Sequence, residues 1–408
     1  MTKMCTKPAV SRRHVLAGAT VLAGGLAAPG LLRAQPAAVK IGVVHPVTGW
    51  AQFSGTQCRY GAETAIAEIN AAGGIAALGG AMIETILGDA QSKGEIGAAE
   101  VERFNEAGVS AIVGAYSSGI SLATTQAAAK YGIPHVVDVG VNDKIVGRGL
   151  ANTFRFGPGC GVITKAGVQG LIDLNNAAGN PVRTCVIVHE NTTPFGSYMA
   201  GLMQKGLEPA GFEVMEILPH PTPNKDFQNI ALKIKEMNPD IVIPSHYYNE
   251  GVLFLRTLQR QRVKPRVIYS VLGGASSQFR FVNEFPDAAD GVIDCNHWFD
   301  PSNPAALALK AKTEAAGLSY SYEVFLAYTA MKFIADGIER AGSADRAAII
   351  AALSASKWDG HFMPYGPTEI VDGQNVAAKP LVMQVQGSAI EVVAPAEHVT
   401  KPAKFPFA

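Results

Sequence analysis

Residues 111–121 read AIVGAYSSGIS, and this stretch joins a buried strand to a helix. The apolar run AIV is typical of a strand covered on both faces, and a helix rich in alanine and threonine is expected to begin at about Ile120. Between them lie small residues, of which Ser117 and Ser118 carry hydroxyls. The stretch therefore predicts one strand–turn–helix unit of an α/β protein.

The same pattern repeats on both sides of this stretch. In the first series, strands are predicted at 39–44, 83–87, 111–113 and 135–139, with helices at 56–72, 95–107 and 120–131. In the second series, strands are predicted at 184–189, 213–218, 241–244 and 267–271, with helices at 196–210, 227–237 and 250–261. Such alternation predicts a doubly wound, mostly parallel sheet in each series.

A dense glycine and proline cluster at 156–161 (FGPGCG) separates the two series. We therefore predict two Rossmann-like α/β lobes with a cleft between them. Ligands of open α/β sheets bind beyond the carboxyl ends of the strands, so the loops of both lobes are expected to face this cleft. Later helices are predicted at 304–316 and 322–341, and short alternating runs over 366–393 predict hairpins.

The first 34 residues have the composition of an export signal. Ser11-Arg12-Arg13 precedes an apolar, glycine-rich stretch that ends at Leu32-Arg33-Ala34. The arginine pair favours the twin-arginine route. Pro29, inside a stretch shorter than the ~20 apolar residues that span a bilayer, argues against a membrane anchor. We expect removal of 1–34 and a soluble periplasmic protein.

Removal of this segment changes the charge balance. The chain has 34 basic and 34 acidic residues, and residues 1–34 contain five basic and no acidic ones. The remaining 29 basic and 34 acidic residues leave a net charge of −5. No basic cluster remains that could follow a phosphate backbone, which argues against nucleic-acid binding.

Cysteine and motif patterns argue against a metal site, a cofactor and an enzyme. The five cysteines form no CxxC and no Cys/His metal spacing, and those after the export segment fall in separate elements, which favours free thiols. There is no GxxxxGK[ST], no GxGxxG after the first strand, no GxSxG and no HExxH. Four histidines lie near predicted strand ends, where a lone histidine is more often structural: His45, His189, His246 and His297.

Three stretches resemble the branched-chain amino-acid (Leu/Ile/Val-type) family of periplasmic binding proteins, the receptors of ABC importers. They are VKIGVVHPVTGWAQFSGTQCRYGAETAIAEINAAGGI (39–75), GVSAIVGAYSSGIS (108–121) and YGIPHVVDVG (131–140). The resemblance implies the type I fold, with two lobes joined by a three-stranded hinge. It places 38–157 plus about 296–360 in the N-terminal lobe, and 158–295 plus about 361–408 in the C-terminal lobe.

The resemblance also implies a carboxylate site at Ser118. Its counterpart in the family binds the ligand carboxylate with its hydroxyl and backbone N–H, with Ser117 and Gly119 on either side. A helix N-terminus offers unpaired N–H groups and a positive partial charge, which suits an anion. The residues alone leave open a simpler role for Ser117 or Ser118 as the helix cap.

Further contacts follow from the same resemblance. Val139 and Val141 lie in the loop whose counterparts bind the carboxylate and amino groups, but many relatives carry a threonine in place of Val141. Aromatic side chains are expected to enclose the ligand: Trp50 and Tyr116 from the first lobe, and Phe195, Tyr247 and Tyr248 from the second. Such a wall suits an aromatic or bulky carboxylate.

One family feature is missing. The acidic residue that pairs with the ligand's ammonium group falls after the strand at 267–271, where this chain reads Leu272-Gly273-Gly274. Burial of an ammonium group without an anionic partner is costly. Asp138 and Glu250 remain as candidate replacements, and Asp138 has a structural role as an equal alternative.

Together these features predict a monomeric solute-binding protein of an ABC importer. It is expected to close around a small carboxylate, either an amino acid or an aromatic or bulky acid, and to deliver it to the membrane permease. A ligand-sensing receptor of the same fold that does not serve transport is the alternative.

Overall fold

The structure is a computed structural model that describes Met1 and residues 36–407. Apart from Met1, the predicted export segment lies outside the described residues. Within residues 36–407, every helix is too short or too polar to cross a bilayer. The four cysteines of this range are buried and unpaired, which confirms the expectation of free thiols.

The chain alternates strands and helices throughout. The strands are β1 (Val39–His45), β2 (Ile83–Asp89), β3 (Ala111–Gly114), β4 (His135–Val137), β5 (Thr153–Arg155), β6 (Thr184–Glu190), β7 (Glu213–His220), β8 (Ile241–Ser245), β9 (Val267–Val271), β10 (Ile293–Asn296), β11 (Ile370–Val371), β12 (Gln374–Asn375), β13 (Leu381–Gln386) and β14 (Ala389–Ala394). The helices are α1 (Gln52–Ala71), α2 (Gly94–Glu106), α3 (Ser118–Lys130), α4 (Cys160–Ala177), α5 (Gly196–Leu207), α6 (Gln228–Met237), α7 (Tyr248–Arg260), α8 (Phe279–Glu284), α9 (Pro286–Ala289), α10 (Pro304–Ala315), α11 (Tyr322–Ala341) and α12 (Arg346–Ser354).

These strands form two seven-stranded sheets, one in each lobe. The order is β11-β12-β5-β4-β3-β1-β2 in the first lobe and β14-β13-β10-β9-β8-β6-β7 in the second. All neighbouring pairs are parallel except those at one edge of each sheet, namely β11/β12, β10/β13 and β13/β14. Every residue of β3 and β8 is buried, as expected for strands covered on both faces. The predicted two-lobe α/β fold is confirmed.

The chain crosses between the sheets three times. The first crossing follows β5, the second follows β10, and α11 then packs along α1 of the first lobe. The third lies between Asn375 and Leu381, later than the boundary expected near residue 361. The reason is the hairpin β11–β12, which pairs with the first sheet through Gln374 and Arg155. The Arg155 guanidinium also donates to Gln374 Oε1 at 2.7 Å.

The start of α3 differs by two residues from the sequence expectation. The helix begins at Ser118 because Ser117 is its N-cap and accepts the N–H of Ile120 on its Oγ at 3.4 Å. The sequence pattern also missed α4, which begins at Cys160 inside the glycine cluster interpreted as a joint. Glycines at a helix start hide the helical period, so the cluster indicated only a break.

The sheet order also places the site. In the first sheet the order reverses between β3 and β1, and in the second it reverses between β8 and β6. Loops at the carboxyl ends of strands diverge at such a switch point and leave a crevice. Each lobe therefore presents one crevice built from the loops that follow its central strands.

Candidate ligand-binding site

A small cavity of about 40 Å³ lies between the lobes. It is lined by Tyr116, Ser117, Ser118, Val139, Val141 and Tyr322 of the first lobe, and by Phe195, His246, Tyr247, Leu272, Asn296 and His297 of the second lobe and its crossing. All of these lie at or just beyond the carboxyl end of a strand, except Tyr322, which begins α11. Seven of the ten residues predicted from the sequence are thus brought together.

The two serines of the turn before α3 have different roles. Ser117 caps the helix, whereas Ser118 Oγ accepts the N–H of Asn142 at 3.2 Å. The hydroxyl proton of Ser118 therefore remains free to be donated. Among residues 36–407, no acceptor is hydrogen-bonded to the N–H of Ser118 or Gly119. The positive end of α3 thus offers the hydroxyl and the N–H of Ser118 at the cavity, with the N–H of Gly119 beside it.

Asp138 fixes the backbone of two cavity-lining residues of the first lobe, Tyr116 and Val139. Its Oδ1 accepts the N–H of Tyr116 at 3.1 Å and of Val139 at 2.7 Å, and its Oδ2 lies 2.6 Å from His45 Nε2. Tyr116 has φ 66°, in the left-handed region that a bulky residue rarely adopts. Burial alone would raise the pKa of Asp138, but His45 and the two N–H groups lower it below its ordinary value. Of the two roles left open for Asp138, this geometry supports the structural one.

None of the cavity-lining residues within 36–407 is a carboxylate or a permanent cation. Leu272 lines the cavity from the loop after β9, where the resemblance implied an acidic residue. Glu250, the other candidate, is buried away from the cavity, and its Oε1 accepts the N–H of Asn224 at 3.2 Å. The site therefore offers no anionic partner for an ammonium group.

The wall from the second lobe is held by Glu190. Its Oε1 accepts the N–H of Gly196 at 2.8 Å and the hydroxyl of Thr193 at 2.6 Å. Thr193 Oγ1 in turn lies 3.0 Å from the hydroxyl of Tyr247. The ring of Phe195 packs against that of Tyr247 with centroids 5.4 Å apart. These bonds fix two aromatic rings at the cavity wall.

Three predicted contact residues lie outside the cavity lining. Trp50 packs on Tyr247 with ring centroids 4.5 Å apart, and Tyr248 stacks on Phe53 at 4.2 Å. Gly119 faces the second lobe, where a Cβ on it would lie 3.5 Å from Pro194 Cδ. All three are contacts between the lobes beside the cavity, because the closed cleft packs them against the opposite lobe.

Hydrogen bonds also cross the cleft. Tyr198 donates its hydroxyl to Asp143 Oδ2 at 3.1 Å, and Gln278 Nε2 donates to Glu323 Oε2 at 2.8 Å. Asn142 donates its side-chain amide to the carbonyl of Pro194. The structure thus has the closed arrangement of the two lobes.

Five lining residues were not predicted as ligand contacts: His246, Leu272, Asn296, His297 and Tyr322. His246 and His297 were noted at strand ends but interpreted as structural. The rule that places sites at strand ends points to the loops after β8, β9 and β10, and so could have found the first four. No local signal marks Tyr322, because its position depends on the return of the chain to the first lobe.

Comparisons with known proteins agree with this architecture. The family described as periplasmic binding protein matches residues 38–389. Over 262 residues the chain is 30% identical to the Leu/Ile/Val-binding protein homolog 8 of Brucella abortus (strain 2308). That match covers 64% of this chain, which spans 64% of the length of the relative.

Solved structures show the same fold at lower identity. The branched-chain amino acid transporter substrate binding protein of Streptococcus pneumoniae, in complex with isoleucine, has a TM-score of 0.76 and 22% identity, covering 88% of this chain and 100% of the other. An ABC-transporter solute binding protein of R. palustris, in complex with benzoate, has a TM-score of 0.75 and 19% identity, covering 90% and 98%. The chain therefore belongs to the periplasmic binding protein family, as the resemblance in its sequence predicted.

Proposed function

We propose that this protein is a periplasmic receptor of an ABC importer that binds a small aromatic carboxylate without an α-ammonium group. The observation that carries the proposal is the composition of the cavity wall. Among residues 36–407, this wall contains serine hydroxyls at a helix N-terminus and no carboxylate. It is built to attract a negative group and has nothing to neutralise a positive one.

The carboxylate would bind at the start of α3. The hydroxyl and the N–H of Ser118 are the donors. A hydrogen bond to a charged group is worth about 1.5–3 kcal/mol, and a partly buried helix N-terminus adds up to ~2 kcal/mol. These terms are large enough to fix the orientation of a small anion.

An amino acid would also bring an ammonium group into the cavity. Burial of an unpaired charge costs several kcal/mol, which would offset most of the gain at the carboxylate. The rings of Tyr116, Phe195 and Tyr247 instead form an apolar wall, and each aromatic contact adds about 0.5–1.5 kcal/mol beyond burial. Relatives of this fold bind isoleucine in one case and benzoate in another, and the wall of this cavity favours the second kind of ligand.

Delivery to a permease follows from closure. A ligand that contacts both walls favours the closed form, and only this differential affinity shifts the equilibrium. The permease of an importer would then recognise the closed, loaded receptor.

Isothermal titration calorimetry with benzoate, leucine and isoleucine tests the proposal. We expect benzoate to bind at least about tenfold more tightly than either amino acid, a difference of about 1.4 kcal/mol. Tighter binding of leucine or isoleucine, or no binding of benzoate, would overturn it.

A further inference from the structure

A chain of two histidines ends at the cavity. His220 Nδ1 lies 2.8 Å from the carbonyl oxygen of Pro221, and His220 Nε2 lies 2.7 Å from His246 Nδ1. His246 is 2% exposed and lines the cavity from the second lobe. Within residues 36–407, its Nε2 atom is buried without a hydrogen-bond partner.

The positions of the protons on the two histidines follow from the hydrogen bond between His220 and the carbonyl oxygen of Pro221. A carbonyl oxygen only accepts, so His220 carries its proton on Nδ1. Burial lowers the pKa of His220 to about 4 and that of His246 well below its ordinary value, so both rings are neutral near pH 7. His220 Nε2 is then a lone pair that accepts from His246 Nδ1–H. His246 Nε2 is left as a lone pair too.

The hydroxyl oxygen of Tyr247, the next residue, is likewise left as an acceptor. Thr193 gives its hydroxyl proton to Glu190 Oε1 at 2.6 Å, so the hydroxyl of Tyr247 must donate to Thr193 Oγ1 at 3.0 Å. The Tyr247 oxygen therefore has lone pairs and no proton left for the cavity. The free polar atoms of His246 and Tyr247 are therefore both acceptors.

We infer that the ligand carries a hydrogen-bond donor in addition to its carboxylate, and that His246 and Tyr247 select a hydroxylated aromatic acid. This inference rests on the proposed function, because it assigns a second group to the same ligand. The first lobe offers donors at Ser118, and the second lobe offers acceptors at His246 and Tyr247. A ligand with an acceptor and a hydroxyl donor satisfies both walls and links the two lobes.

A ligand without that donor leaves a buried acceptor unpaired. His297, whose ring nitrogens have no partner among residues 36–407, offers one donor and one acceptor when neutral and so does not discriminate. Selection therefore falls to His246 and Tyr247. Sites that hydrogen-bond a ligand hydroxyl discriminate strongly against analogues lacking it, because their own polar groups are left unsatisfied.

Calorimetry with matched ligand pairs tests the inference. Each hydroxybenzoate is compared with the methylbenzoate substituted at the same ring position, since methyl and hydroxyl groups are close in size. We expect at least one hydroxybenzoate to bind about tenfold or more tightly than its methyl partner. If every methylbenzoate binds as tightly as its partner, the inference is wrong while the proposed function stands. If neither the hydroxybenzoates nor the methylbenzoates bind, the proposed function itself fails.

Variants assign the preference to the histidine chain. His246→Leu removes the acceptor, and His220→Leu releases His246 to carry its proton on Nε2, so each should reduce the hydroxyl preference by about tenfold. His189→Gln changes another buried histidine of the second lobe and should leave the preference unchanged. A preference retained in both leucine variants would overturn the inference.

Nitrogen-15 NMR of the ligand-free protein provides a readout that needs no substitution. The imidazole shifts of His246 should show the proton on Nδ1. A proton on Nε2 would overturn the inference.

Discussion

His45 Nε2 lies 2.6 Å from Asp138 Oδ2, and neither side chain is exposed to solvent. His45 ends β1 and Asp138 follows β4, so this contact reaches around the end of β3, which lies between them in the sheet. The loop that leaves β3 carries Tyr116 and the two serines. The pair is therefore the support on which the proposed carboxylate site is built.

Replacement of Asp138 should affect stability according to the hydrogen bonds that survive. Asp138→Ala leaves the N–H groups of Tyr116 and Val139 and the ring of His45 unpaired, so we expect a loss of about 3–5 kcal/mol in the free energy of unfolding. Asp138→Asn keeps an acceptor for both N–H groups and should retain most of the stability. Urea unfolding of both variants measures this, and equal losses would contradict the assigned positioning role.

Ser118→Ala should weaken carboxylate binding with little change in stability. The variant loses one charge-assisted hydrogen bond, and we expect benzoate affinity to fall by about tenfold. Ser121→Ala, one turn further along α3, is the matched control, because the buried Ser121 hydroxyl has no partner among residues 36–407 and lies outside the cavity. Calorimetry on both variants decides the matter, and equal affinities would remove Ser118 from the site.

The fold was predictable because its signal is repeated. Each βα unit carries an apolar run and a helical period, and the resemblance over 39–75 fixed the lobe order. The position of the third crossing was not predictable, because Gln374 joins the first sheet through one short parallel pairing with Arg155. A two-residue strand has no period that a sequence pattern can detect.

The cavity was predictable where a residue belongs to a local motif. Ser118 and Val139 follow strands that the sequence marks clearly, and both line the cavity. Trp50 shows the limit, because its loop faces the cleft but its ring is held by Tyr247 of the opposite lobe. Sequence position indicates the loop, whereas packing across the cleft decides which side chain reaches the cavity.

Trp50→Ala should weaken ligand binding although Trp50 does not line the cavity. Its ring contacts Tyr247 at 4.5 Å across the cleft, and loss of such a contact removes about 0.5–1.5 kcal/mol from the closed form. We expect benzoate affinity to fall roughly two- to tenfold, while Trp50→Phe retains most of it. Small-angle scattering should show the ligand-free alanine variant more open than the parent. An unchanged affinity and radius of gyration would indicate that this contact does not stabilise closure.

Acid should destabilise the folded protein partly through His220. Burial lowers its pKa to about 4, whereas an unfolded histidine titrates near 6.5. The unfolded chain therefore takes up the proton first as the pH falls, so stability present above about pH 6.5 is lost towards pH 4, by about 3 kcal/mol for this group.

The comparison of parent and His220→Leu measures the contribution of His220 together with its effect on His246, whose pKa His220 helps to lower. Burial raises the pKa of Glu323 and of Asp294, which acts in the opposite direction but equally in both proteins. The variant should start from a lower unfolding temperature, because it loses the bond to His246, yet show a shallower decline between pH 6.5 and 4. Calorimetric unfolding across that range provides the slopes. Parallel slopes would mean that the pKa of His220 is not lowered in the folded protein.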